Sequence, residues 1–111
     1  MLIKIGDKNE ITKEFSNKDV ELFSELSGDK NPIHLNEEYA STTKFKKPIV
    51  HGSLVSSLIS TAVSKSYPGA IYVKQEFNYL KPTFINDRVK AEVTISNILG
   101  KKIYFHTKCT I

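Results

Sequence analysis

The stretch "IVHGSLVSSLISTAVSKSYPG", residues 49 to 69, constrains the fold more than any other. Leu54, Leu58 and Ala62 recur at i, i+4, and Val55, Ile59 and Val63 form the next row. That spacing predicts a helix over residues 52–66 with a wide stripe of mostly modest-sized apolar side chains. Ser53, Ser56, Ser57, Ser60 and Ser64 fill most of the remaining surface. Such a helix is about 22 Å long, and Pro68 and Gly69 end it. A stripe this broad needs a partner that wraps around it.

The segments downstream supply one. "AIYVKQEFNYL" alternates, with Ile71, Val73, Phe77 and Tyr79 on one face and Gln75 among them. "RVKAEVTIS" sets Val89, Ala91, Val93 and Ile95 opposite Lys90, Glu92, Thr94 and Ser96. After a turn at Leu99-Gly100-Lys101, "IYFHTKCTI" sets Ile103, Phe105, Cys109 and Ile111 on one face. Strands apolar on one side only predict an antiparallel sheet with one packed and one wet face. Upstream, "NEITKEF" reads as a short strand carrying Ile11 and Phe15. Ser16 and Asp19 form a capping-box pattern, Val20, Phe23 and Leu26 follow at helical spacing, and Gly28 suits a C-cap. A helix over residues 17–27 follows from that pattern. Asn36 can cap a second short helix containing "EEYASTT", and Pro48 disfavours helix at Lys47. The expected class is α+β, one domain over residues 1–111, with a curved antiparallel sheet around the 52–66 helix.

Composition excludes several function classes. The net charge is +4, but fifteen of the sixteen basic residues are lysines spread along the chain, and Arg88 stands alone. A nucleic-acid reader concentrates its charge on one face and uses Arg on base edges, so no nucleic-acid partner is expected. The longest apolar-leaning run, Leu54 to Val63, is interrupted by hydroxyl residues, so no membrane span is expected. The N-terminus reads as carrying no secretion signal. One cysteine, Cys109, suits a reducing compartment, and a cytoplasmic location is expected.

The chemistry-bearing residues cluster in "LSGDKNPIHL", residues 26 to 35. Taken alone, Asp29, Asn31 and His34 are ordinary turn and surface residues. A second signal, "PIVHG", changes their weight by placing His51 and Gly52 at the start of the central helix. The first N–H groups there lack intrahelical partners and carry the positive end of the helix dipole. Glycine lets a ligand oxygen approach them, which is the construction of an oxyanion site. A carboxylate, an imidazole and such a site are what addition of water beside a thioester carbonyl requires. His106 falls on the wet face of its strand and has no assigned role. His34, His51 and Cys109 lack short ligand spacing, so no metal site is expected.

"SGDKNPIHLNEEYA" followed by "FKKPIVHGSLVSSLIS" resembles the MaoC-like (R)-specific enoyl-CoA hydratases and dehydratases of the hotdog fold. G-D-x-N-P-x-H with a downstream P-x-x-H-G carries the resemblance, and "QEFNYLKPTFINDRVKAEV" extends it, over roughly residues 10 to 110. The resemblance implies that Asp29 and His34 are the catalytic pair and that the Gly52 N–H holds the thioester carbonyl oxygen. It implies that Ser60 helps orient the Asp and that Asn31 shapes the loop. His51 is read as structural or substrate-shaping, and Ile59 and Val63 as core residues or the acyl pocket. The implied reaction is reversible hydration of a trans-2-enoyl thioester to its (R)-3-hydroxyacyl form. No cofactor is implied beyond the CoA or acyl carrier protein that carries the substrate.

The family's sheet has one more strand beyond the position of Ile111. The expectation is therefore a sheet closed with fewer strands, completed by a partner, or shortened relative to its relatives. Pairing through the sheet implies a homodimer, which an exposed edge would reinforce. A non-catalytic acyl-thioester-binding subunit and, ranked lower, a thioesterase are the alternative readings.

Overall fold

The computed structural model describes residues 2–111. A strand β1 (Lys8–Glu14) leads into helix α1 (Asn17–Ser27), two short helices α2 (Pro32–Leu35) and α3 (Glu37–Ser41), and the long helix α4 (Gly52–Ser66). Strands β2 (Arg88–Leu99) and β3 (Lys102–Thr110) complete the order. The sheet is antiparallel throughout, with β2 between β1 and β3.

Local signals set most boundaries. Ser16 Oγ accepts from Asp19 N at 3.1 Å while Asp19 Oδ2 accepts from Ser16 N at 2.9 Å, so the capping box is reciprocal. Gly28 closes α1 in the left-handed region at φ 82°. Asn36 caps α3, which is shorter than "EEYASTT" suggested. The loop read around "DKNPIHL" contains a full turn of helix, α2, capped by Asn31 and begun by Pro32. The inward row of α1 is Val20 and Ser24; Leu26, expected inside, is exposed. The hairpin turns at Gly100 and Lys101, and β2 carries a bulge between Ile95 and Asn97.

The core lies between α4 and the sheet. Leu58, Ile59, Ala62 and Val63 face Val89, Ala91 and Val93, with Phe15, Val20 and Val50 closing the periphery. All four predicted inward residues of β2 are buried, whereas those of β3 are only half-buried. Full burial of each Val, Leu or Ile contributes about 1.5–3 kcal/mol, so α4 and β2 dominate the stability. On the wet face Glu92 is nonetheless buried, because Lys8 (2.8 Å) and Lys90 (3.1 Å) close over it. Hydrogen bonds from Lys8 and then Lys90 pull its carboxyl down to about 2.

Residues 70–80 depart from expectation. "AIYVKQEFNYL" is not a strand: the segment has no ladder partner among the described residues, and Ile71 and Val73 are almost fully exposed. Its alternation is real, but a strand exists only when a neighbour takes its N–H and C=O groups, and β1, β2 and β3 pair among themselves. Ile111 also lies outside β3 and is exposed. Most of the unpaired segment is exposed, Phe77 alone among its residues packing against the core, and the tip of the β2–β3 hairpin is exposed as well. Accordingly the radius of gyration, 15.8 Å, exceeds the about 13 Å of a closed domain this size. No helix among the described residues is long and apolar enough to cross a membrane.

Candidate active site

The site forms where α1 ends, α2 turns and α4 begins. The left-handed Gly28 swings the chain off α1 so that Asp29 follows at the surface. Asp29 N donates to Ser27 Oγ at 3.1 Å, and Asn31 N donates to Asp29 Oδ1 at 3.2 Å. The carboxylate is therefore held by its own turn while staying open to solvent. Asn31 then caps α2, its Oδ1 accepting from Ile33 N at 3.2 Å. One turn of helix later His34 points inward and is 8% exposed.

His34 is fixed from two sides. Its Nδ1 lies 2.7 Å from the carbonyl oxygen of Ile49, and its ring stacks on His51 with centroids 3.9 Å apart. The Ile49 carbonyl is itself placed by two anchors beside it. Ile49 N donates to Ile33 O at 3.2 Å, and Val50 N donates to Thr83 O at 2.7 Å. His51 is 1% exposed, with Phe23 edge-on at 4.8 Å. Its Nε2 is 3.0 Å from Ser24 Oγ and 3.1 Å from the carbonyl oxygen of Asp29, while Nδ1 is buried without a partner. Burial holds the His51 pKa below the ordinary histidine value; contact with the Asp29 carbonyl opposes that, and nearby His34 adds to it.

Asp29, His34 and His51 each bring one ligand-type atom within 4.8 Å of the others. A water bridging two groups by hydrogen bonds of about 2.8 Å spans about 4.5 Å, a separation within the 4.8 Å bound on these groups. His34 Nδ1 and His51 Nε2 each already face a backbone carbonyl oxygen, which leaves one uncommitted nitrogen on each ring.

Gly52 opens α4, and His51, its N-cap, makes no side-chain capping bond. The first N–H groups of α4 therefore remain available to an incoming oxygen. Closeness, not backbone freedom, favours glycine here: a Cβ would meet the Tyr79 ring at 2.9 and 3.0 Å and displace it. Tyr79 Oη is 3.1 Å from Ser56 Oγ, which lays the ring across the helix start.

The structure thus brings together Asp29, Asn31, His34, His51 and Gly52. Ser60 lies on the exposed face of α4, about two turns beyond Gly52, and has no hydrogen bond to Asp29 among the described residues. Ile59 and Val63 sit in the packed core, 3% and 6% exposed. Sequence reasoning missed Ser24. The available signal was a serine four residues after Val20 on the inward row of α1.

An antiparallel sheet packed on one long helix is the hotdog arrangement, and here Asp29 and His34 lie near the start of that helix. The chain matches the family described as MaoC like domain over residues 4–111, and it belongs to that family. It is 42% identical over 113 residues to the (R)-specific enoyl-CoA hydratase of Rhodospirillum rubrum, covering 98% of this chain and 78% of that protein. Identity is 40% over 102 residues to the (R)-specific enoyl-CoA hydratase of Aeromonas caviae, covering 90% and 76%. The mitochondrial 3-hydroxyacyl-[acyl-carrier-protein] dehydratase of Arabidopsis thaliana is 36% identical over 112 residues, covering 97% and 68%. Among solved structures, the (R)-hydratase from A. caviae superposes with a TM-score of 0.92 at 36% identity, covering 96% of this chain and 84% of that one.

Proposed function

We propose that the protein catalyses reversible hydration of trans-2-enoyl thioesters to (R)-3-hydroxyacyl thioesters. The coarser assignment, an enzyme of the hydro-lyase type, follows from its family and from relatives carrying hydratase and dehydratase activities. The observation that supports the finer reading is that Asp29 and His34 bring ligand-type atoms within 4.8 Å of each other and of His51, the residue before the start of α4.

A carbonyl oxygen only accepts, so the 2.7 Å contact with Ile49 puts the His34 proton on Nδ1. Neutral His34 then presents the Nε2 lone pair to the site, and Asp29 presents a carboxylate. As the water oxygen bonds to C3, His34 Nε2 takes its proton and the C2=C3 electron pair shifts toward the thioester carbonyl. The developing negative oxygen meets the Gly52 N–H, where such a donor is worth about 3 kcal/mol. Asp29 orients the water and offsets the transient imidazolium charge. Return of the proton from Nε2 to C2 completes a balanced addition of water, and dehydration runs the same steps backward. No cofactor enters; CoA or an acyl carrier protein serves as the thioester carrier, and the +4 charge suits either anion.

The chain acts as one domain, and Ser60 on the exposed face of α4 and Ile59 and Val63 in the packed core take no part in the steps above. The working form is a homodimer in the cytoplasm. Pairing through the sheet is supported by the exposed, alternating Ile71 and Val73 and by the free edges of β1 and β3. The test is chiral analysis of the product from crotonyl-CoA and water. (R)-3-hydroxybutyryl-CoA is expected; the (S) product, or free CoA from thioester cleavage, contradicts the reading.

A further inference from the structure

We infer that Ser24 and His51 form a positioning unit that sets the spacing of Asp29 and His34; this rests on the hydratase reading above. Four separate segments supply the residues involved: α1 carries Ser24, the loop after it Asp29, α2 His34, and the approach to α4 His51. The His51 ring is where they meet. Its Nε2 reaches both Ser24 Oγ (3.0 Å) and the Asp29 carbonyl oxygen (3.1 Å), and its face lies against His34.

The donor pattern has one solution. The Asp29 carbonyl oxygen cannot donate, so Nε2 carries the proton, and Ser24 Oγ accepts a share of the same N–H. The lone pair then falls on Nδ1, the buried atom without a partner. Moving the proton to Nδ1 would bury an unpaired N–H and turn a lone pair toward the Asp29 carbonyl, losing twice. His51 is thus held neutral, in one tautomer and one orientation. Neutrality matters because its neighbour across the stack takes a proton during turnover.

Ser24 has no other evident reason to be polar. It occupies the inward row of α1 after Val20 and is 2% exposed, where an apolar side chain would bury more favourably. Its hydroxyl is 3.0 Å from the ring nitrogen that ties down the Asp29 backbone. Among the described residues Ser24 makes no side-chain hydrogen bond to Asp29 or His34, and it acts on both through His51. A displacement of the pair by a fraction of an ångström misplaces the reacting groups and costs kcat more than KM.

The test compares wild type with Ser24→Ala, using crotonyl-CoA kinetics and long-range 1H–15N spectra of the histidine rings. His51→Phe, which keeps the stack but lacks the N–H, is the second variant. Both variants are expected to lower kcat about tenfold or more and to leave KM within about twofold. Wild-type His51 is expected as the neutral Nε2–H tautomer, and His34 ring signals are expected to move in Ser24→Ala although the two residues are not in contact. A Ser24→Ala protein with wild-type kcat and unmoved His34 signals overturns the proposal. If wild type hydrates no enoyl thioester, the hydratase reading falls, and the spectra alone decide: unmoved His34 signals in Ser24→Ala still overturn the positioning unit.

Discussion

Nδ1 of His34 lies 2.7 Å from the carbonyl oxygen of Ile49, the residue two before the helix-opening His51-Gly52 pair. That contact joins the two halves of the site. It orients the imidazole of the first sequence motif by the backbone of the second, three residues before the start of α4 at Gly52. Thr83 and Ile33 hold the carbonyl in place, which makes the geometry a property of the fold and not of a mobile side chain.

Asn31 shapes that geometry from the other end. Asn31→Ala removes the α2 cap and should cost about 1 kcal/mol of stability. Because His34 rides on the capped turn, kcat should fall several-fold as well. Asn31→Asp keeps an oxygen acceptor and should restore most of both. Melting curves and initial rates on the two variants check this, and equal losses in both would show that the cap is not what matters.

Gly52→Ala should leave the fold intact, because the Tyr79 ring it would strike is largely exposed and free to swing aside. The added methyl and the displaced ring crowd the N–H groups offered to the carbonyl oxygen. A drop in kcat/KM of about tenfold or more is expected. Combining Gly52→Ala with Tyr79→Ala should recover part of the loss. Wild-type rates for Gly52→Ala would place the oxygen-binding site elsewhere.

Glu92 links stability to pH. Its folded-state carboxyl, at about 2, lies below the ordinary value of 4.5, so its ion pairs stabilise the fold above pH 4.5. That contribution is lost as pH falls from 4.5 toward 2. Lys8 and Lys90 are about half exposed, which screens the effect and makes it sensitive to salt. Between pH 5 and pH 2.5 wild type should lose more melting temperature than Glu92→Gln. Parallel losses would contradict the pairing.

Much of this was readable before the structure. The boundaries of α4 follow from two apolar rows and a terminating Pro-Gly, and the buried face of β2 follows from strict alternation. Asp29, His34 and Gly52 were legible because their motifs stand in a fixed order. What stayed hidden depends on contacts distant in sequence. Residues 70–80 alternate like a strand, yet pairing, not pattern, makes a strand. Leu26 is exposed and Ser24 buried because the inward row of α1 runs from Val20 to Ser24, whose hydroxyl meets the His51 ring. Nothing in "FSEL" announces His51.

The central claim is that His34 moves the proton of the added water while Asp29 orients that water and offsets the charge on the imidazole. The most direct measurement is kcat for crotonyl-CoA hydration, followed by loss of the enoyl absorbance, in wild type, Asp29→Asn and His34→Ala with matched circular dichroism. Each variant should lose about 100-fold to 10,000-fold in kcat while keeping the fold. Undiminished kcat in either variant, with the fold intact, would contradict the account.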